Sequence, residues 1–352
     1  MSELRADSLS FLEAIGQSVA NVSPTLTPAI AVAVVAATAG TASWLVFVLA
    51  TFALVVVGFN IGKLAGKISA AGSFFLYISR GLNPALGMLS GWAMLAAYVT
   101  TAIALTATTA LFAQSLITGL GFSLVVPPVL LYAIISVLVY YFAVRDIRFS
   151  SRLGLALEVV SIIVIAIVCF LSWQAHGFAA DTKQLSLSGA SFSAVGQSIV
   201  FAIFSYVGFE SAATLGKETR NPKEVIPRAV ILTPILAGAV FIITTYFIVQ
   251  GFGDDTTKLG ASAGPLADIV PGKAKVLTIL VYIGAAVSMF ACALASINSF
   301  SRILFSLGRY QFVHKTMGNV HAKHHTPYAA VTIGVASPVL RSSTGEATEH
   351  RK

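Results

Sequence analysis

Residues 21–30 read NVSPTLTPAI and residues 204–211 read FSYVGFES. Both stretches sit inside long apolar runs, and both carry residues that an uninterrupted membrane helix excludes. The first places Asn21, Ser23, Pro24, Thr25, Thr27 and Pro28 near the middle of its run. Each proline lacks an N–H and clashes with the carbonyl one turn back, so the helix is expected to unwind near Ser23. In the second stretch Gly208 weakens the helix, Ser205 and Ser211 add hydroxyls, and Glu210 brings an ionisable group to membrane depth. A single interruption of this kind is as readily a packing kink as a site. Unwound backbone in a bilayer is tolerated only where it lines a cavity or is buried in protein, so two matching interruptions favour a site.

The composition around these stretches fixes the class. Of 352 residues 57% are hydrophobic and only 10% charged, and the mean hydropathy is +0.86. That is too apolar for the surface of a soluble domain and describes an all-α polytopic membrane protein with the lipid bilayer as its surroundings. Eight runs reach the roughly 20 apolar residues that a bilayer core requires: 14–38, 43–62, 83–117, 125–144, 153–173, 194–216, 227–251 and 276–308. The breaks fall in the first and sixth of these. That spacing matches a fold of two inverted five-helix repeats, whose interrupted helices meet at the midplane around a substrate. Free N–H groups at a half-helix amino terminus favour a carboxylate, and freed carbonyls at a half-helix end favour an ammonium.

Orientation follows from the basic residues. With a cytoplasmic amino terminus the inner segments hold fifteen, from Arg5, Lys63, Lys67 and Arg80 through Arg145, Arg148 and Arg152 to Lys217, Arg220, Lys223, Arg228, Arg302, Arg309, Lys315 and Lys323. The outer loops then hold four, Lys183, Lys258, Lys273 and Lys275, an asymmetry that places the amino terminus in the cytoplasm. The formal charge of +8 is spread over short separate loops and forms no basic face for nucleic acid. Cys169 and Cys292 each lie in an apolar run without metal-ligand spacing and read as packing residues. The HAKHH stretch at 321–325 has no accompanying carboxylate or cysteine, so no metal is expected there. No Walker-type phosphate loop appears, so direct ATP coupling within this chain is not expected. The opening MSELRADSLSFLEA lacks the pattern of a cleavable signal.

A ninth segment, TPYAAVTIGVASPVL at 326–340, begins as a helix and turns abruptly into RSSTGEATEHRK. About 14 apolar residues do not cross a bilayer core. One reading is a re-entrant or interfacial end. The other takes residues 339–352 as a polar tail foreign to the original protein, from a frameshift or truncation, with the membrane domain occupying 1–338.

The chain resembles the amino acid–polyamine–organocation superfamily, the amino acid permeases. The most specific piece is FAIFSYVGFESAATLGKETRNPKEVIPRAV at 201–230, supported by AAGSFFLYISRGLNPALGMLSGW at 70–92, GPLADI at 264–269 and SFSRILFSLGRY at 299–310. The resemblance implies the leucine-transporter-like inverted-repeat fold, here with an incomplete second repeat, and a secondary transporter rather than an enzyme. It further implies a small-molecule amino acid or related amine as substrate, no cofactor, and drive by an ion gradient, with a proton ahead of sodium, or by exchange. The alternative is a truncated permease that binds or senses without transporting.

By the same resemblance the substrate carboxylate meets Asn21, Val22 and Ser23, with Pro24 and Thr25 completing the turn. Here the family's Gly-Ser-Gly pattern has no glycine. The substrate ammonium and its aromatic cover fall on Phe204, Ser205, Tyr206, Val207 and Gly208, and Glu210 takes the position of an acidic residue linked to gating. Lys217 stands where one of an acidic pair would be, leaving Glu218. Glu158, in ALEVVS of the fifth run, is the second carboxyl at membrane depth and reads equally as a coupling candidate or as a structural carboxyl hydrogen-bonded to a neighbouring helix. Ser161 stands where some proton-coupled relatives carry a lysine. Ser288, Ser296 and Asn298 of the eighth run are ion ligands or interhelical hydrogen-bonding groups, the second role being the commoner.

Overall fold

A computed structural model describes residues 3–68, 71–187 and 190–337. The tail at 339–352 and its proposed foreign origin lie outside the described residues. All eight apolar runs become helical, and the first and sixth are interrupted where the sequence predicts. The first run gives α1 (Phe11–Val22), a turn, a π-helical segment (Thr27–Ala31) and α2 (Val32–Ala39). The second gives α3 (Ser43–Lys67), and a short α4 (Phe74–Gly81) leads into the long α5 (Pro84–Leu120). Then come α6 (Pro128–Val144) and α7 (Ile147–Ala175), a one-turn α8 (Thr182–Leu185) and α9 (Phe192–Phe204). Beyond the second break are a 3-10 segment (Ser211–Leu215), α10 (Pro222–Gly251), the short α11 (Thr256–Gly260) and α12 (Pro265–Asp268), and α13 (Lys275–Arg309). The ninth segment forms α14 (Tyr328–Ser337). Among the described residues five stretches are long and apolar enough to cross a membrane, the first being Phe11–Lys67, which contains the break; α6, α9 and α14 are shorter.

Local chemistry sets the helix starts. Asn83 caps α5 by accepting from the Leu86 N–H at 2.9 Å, with Pro84 next, where a missing N–H costs nothing. At α1, Ser10 and Glu13 form a capping box in which the Glu13 carboxylate accepts from the Ser10 N–H at 2.8 Å.

The helix α13 is the centre of the bundle, packed against α5, α7, α1 and α6, while α10 lies on α3. From Ala291 to Gly308 every α13 residue is buried. Its sequence there is rich in alanine and serine, and small residues let neighbouring helices approach closely where lipid supplies no hydrophobic drive. At the end bearing the basic loops, the amino-terminal segment crosses to the far side of the second break. Leu9 and Thr219 form an isolated parallel bridge, and the Glu218 carbonyl accepts from the N–H groups of Ser8 and Leu9, both at 2.9 Å. The chain after the second break runs through the 3-10 segment (Ser211–Leu215) to this bridge and then to Asn221, in the left-handed region at φ 45.

Candidate functional site

The two breaks open by different means. In the first, Ser23 takes the left-handed region (φ 51, ψ 74) without being glycine, a conformation that costs an L-residue roughly 1–2 kcal/mol. Its N–H returns to the Ala20 carbonyl at 3.2 Å, its own carbonyl accepts from Leu26 at 2.9 Å, and Pro24 offers no donor between them. In the second, α9 ends in successive turns, and Gly208 holds φ 97. The breaks meet at this glycine. A Cβ on Gly208 would lie 2.8 Å from Asn21 Cγ and 2.9 Å from the Asn21 carbonyl oxygen. Both the backbone angle and the contact therefore require glycine here.

Between the breaks lies a cleft of about 480 Å³. The first break contributes Asn21, Val22, Leu26 and Ile30, and the second contributes Phe204, Ser205 and Val207. The far wall comes from α5, with Thr100, Thr101, Ala104, Leu105 and Thr108, and α13 supplies Cys292. No carboxylate or basic side chain lines it. Asn21 is held from α13: its side-chain oxygen accepts from Ser296 Oγ at 2.7 Å and its carbonyl from the Cys292 thiol at 3.0 Å. Its amide nitrogen, Nδ2, is buried without a hydrogen-bond partner. An orphan donor in a 2% exposed side chain is costly unless something accepts from it.

Five of the expected substrate residues thus share the cleft: Asn21, Val22, Phe204, Ser205 and Val207. Gly208 serves by close approach. Ser23 and Thr25 lie behind the cleft. Ser23 Oγ is 2.9 Å from Ser288 Oγ, and Thr25 Oγ1 is 2.5 Å from Ser161 Oγ, which in turn donates to the Gly284 carbonyl at 2.8 Å. Pro24 is buried with them and acts by interrupting the backbone. Tyr206 corrects the reading: its ring packs on Phe241 at 4.9 Å and its hydroxyl sits 2.7 Å from Thr51 Oγ1 on α3, away from the cleft. In an unwound stretch no helical period tells which side a residue faces. Glu210 also lies outside the lining and accepts from the Tyr98 hydroxyl of α5 at 2.8 Å.

Of the coupling candidates, Ser296 holds Asn21 and Ser161 ties α7 to the first break. Glu158 is fully buried, with each carboxylate oxygen 2.8 Å from Ser288 Oγ. Asn298 donates to Ser150 Oγ at 3.0 Å and serves as an interhelical tie. Cys292 is a second correction, since it lines the cleft and bonds Asn21 rather than merely filling space. The α5 wall was also missed. Its signal was there in TTAIALTATT at 100–109, where positions 100, 101, 104, 105 and 108 follow one helical face.

The amino acid permease family model matches residues 14–340. The chain belongs to this family. Relatives of this permease include the low-affinity putrescine importer PlaP of Escherichia coli K12, 25% identical over 297 residues that cover 80% of this chain and 62% of PlaP. The branched-chain amino acid permease BcaP of Bacillus subtilis 168 is 22% identical over 325 residues, covering 87% of this chain and 68% of BcaP. The serine/threonine exchanger SteT of the same organism is 24% identical over 305 residues, covering 80% and 64%. The chain therefore spans less than two thirds of the length of PlaP and of SteT. These relatives are importers, permeases and exchangers, so the family is one of membrane transporters and not of enzymes. The fold is the leucine-transporter-like one of MhsT, solved in complex with L-phenylalanine, with a TM-score of 0.66 at 17% identity over 97% of this chain and 80% of that one.

Proposed function

We propose that this permease carries a neutral amino acid across the cytoplasmic membrane by alternating access, with its amino terminus in the cytoplasm. The observation that carries the reading is the orphan Asn21 amide at the meeting of the two breaks, a donor waiting for a carboxylate. The hydroxyls of Ser205, Thr100, Thr101 and Thr108 surround a wall otherwise built from Val22, Leu26, Ile30, Ala104, Leu105, Phe204 and Val207. A diamine or cationic side chain would bring a charge with no opposite charge in the lining, and an unpaired charge is expensive to bury. Among the named relatives, the branched-chain and serine/threonine transporters fit this wall better than the putrescine importer does. Drive by a proton rests on Glu158 as a buried carboxyl and not on the lysine of proton-coupled relatives, whose place Ser161 takes; exchange against a second solute is the other mode consistent with the site.

The test is calorimetric binding of leucine, phenylalanine, serine, lysine and putrescine to the purified protein, followed by uptake into proteoliposomes with and without a proton gradient. Binding of a neutral amino acid and gradient-dependent uptake support the proposal. Preferential binding of putrescine or lysine overturns the substrate assignment. Binding without uptake overturns transport by this chain and leaves a membrane binding protein.

A further inference from the structure

Glu158 lies on α7 and Ser23 at the first break, and α13 stands between them with Ser288. The Glu158 carboxyl is completely buried, and among the described residues its hydrogen-bonding contact is the single hydroxyl of Ser288, 2.8 Å from both oxygens. One hydroxyl proton cannot serve both oxygens fully. Ser288 Oγ is also 2.9 Å from Ser23 Oγ, and either of these atoms can be the donor. The remaining neighbour of the Ser23 hydroxyl is the Met289 thioether at 3.6 Å, which only accepts, and weakly. No ion pair involves Glu158 among the described residues. The titratable group that faces it from α13 is the Cys292 thiol, bonded to Asn21. The charged groups of α1 and of the first turns of α7, Glu13, Arg148 and Arg152, pair with each other, and no charged side chain of α10 or α6 interacts with Glu158.

We infer that Ser288 is a positioning residue that couples protonation of Glu158 to the hydrogen-bonding state of the substrate-binding turn, so that a proton and the substrate bind together. The inference rests on the permease reading above. An ionised carboxylate only accepts. Ser288 must then donate to it, Ser288 oxygen accepts from Ser23, and the Ser23 proton is committed to the chain. A protonated Glu158 donates to Ser288 instead, and Ser288 turns its own proton onto the Ser23 oxygen. The Ser23 proton then faces the weakly accepting thioether, and the turn that carries Val22 and Asn21 into the cleft is released from the Ser288 oxygen to adjust around a carboxylate. The added proton stays on Glu158 throughout; what moves along the chain is the direction of two hydrogen bonds.

The test measures affinity for a neutral amino acid across acidic to alkaline pH in the purified protein. Wild type should bind more tightly as pH falls, by up to about tenfold per pH unit, the limit for one linked proton. Ser288→Ala should still bind but lose the slope, Ser288→Thr should keep it, and Glu158→Gln should bind without pH dependence. A wild-type slope in Ser288→Ala, or a slope lost in Cys292→Ala but kept in Ser288→Ala, overturns the inference. Infrared spectroscopy reads the same chain without substrate. The carbonyl band of protonated Glu158, assigned by its loss in Glu158→Gln, should shift in Ser288→Ala, and an unshifted band overturns the chain. If wild type binds no amino acid while the band shifts, the permease reading fails and the chain of hydroxyls stands.

Discussion

Gly208 is the residue on which the site turns. Its φ of 97 and its contact with Asn21 both exclude a side chain, so Gly208→Leu should lose neutral amino acid binding by well over about tenfold, or about 1.4 kcal/mol. Insertion and monodispersity should persist, because the collision is confined to the meeting of the breaks; wild-type affinity in a folded variant would count against the site. The sequence made Gly208 and Asn21 legible, since glycine and asparagine are conspicuous in apolar runs. It could not orient Tyr206, whose ring went to the α3–α10 core through Thr51 and Phe241, nor reveal that Cys292 faces the cleft. Both depend on which neighbour each side chain finds, and that is a tertiary matter.

At the scale of elements, the segment after the second break is held by a pair that no local pattern announces. Glu218, read from the sequence as half of an incomplete acidic pair, meets Arg302 of α13, with Arg302 Nε 3.0 Å from Glu218 Oε2 and Nη2 3.3 Å from Oε1. Both side chains are buried. Removing one partner leaves a buried charge alone, so Arg302→Leu should destabilise the fold by about 3–5 kcal/mol. The double replacement Arg302→Leu with Glu218→Leu should recover much of that loss, read as thermal stability in detergent. An equal loss in the double variant would show that packing and not charge carries the effect.

Between α7 and α8, and after α10, Asp181 and Asp254 approach each other. Burial opposes the charge of Asp181, but the Gln184 side-chain amide at 2.5 Å, a hydrogen bond from the Asp254 carboxyl and two backbone N–H groups outweigh it and hold its carboxyl below the ordinary value. Asp254 is pushed above its ordinary value by burial and by the Asp181 carboxylate, with Lys183, 3.6 Å away, in partial opposition. A raised carboxyl binds its proton more tightly when folded, so its cost is absent in acid and grows as pH rises through its folded value. Asp254→Asn should therefore raise the melting temperature at neutral pH and converge with wild type in acid. A gain that is the same at every pH would remove the electrostatic explanation.

For the whole molecule, orientation is the clearest consequence of charge distribution. The fourteen basic residues that the loop count assigns to the same side as Arg5 predict that a reporter fused ahead of Ser2 and active only in the cytoplasm will be active, while one inserted near Lys258 will not. The reverse pattern would invert the topology. By itself the sequence determined the membrane class, the eight helical runs and the positions of both breaks. Those follow from composition, proline and glycine, which act on the chain locally through bilayer thickness and backbone sterics. Only the tertiary structure decided what fills the space between the breaks. The α5 threonines became a wall, Ser288 became the link between Glu158 and Ser23, and Arg302 became the partner of Glu218. Such pairings join residues more than eighty positions apart, and they are set by how close-packed helices present their faces to one another, which no local pattern encodes.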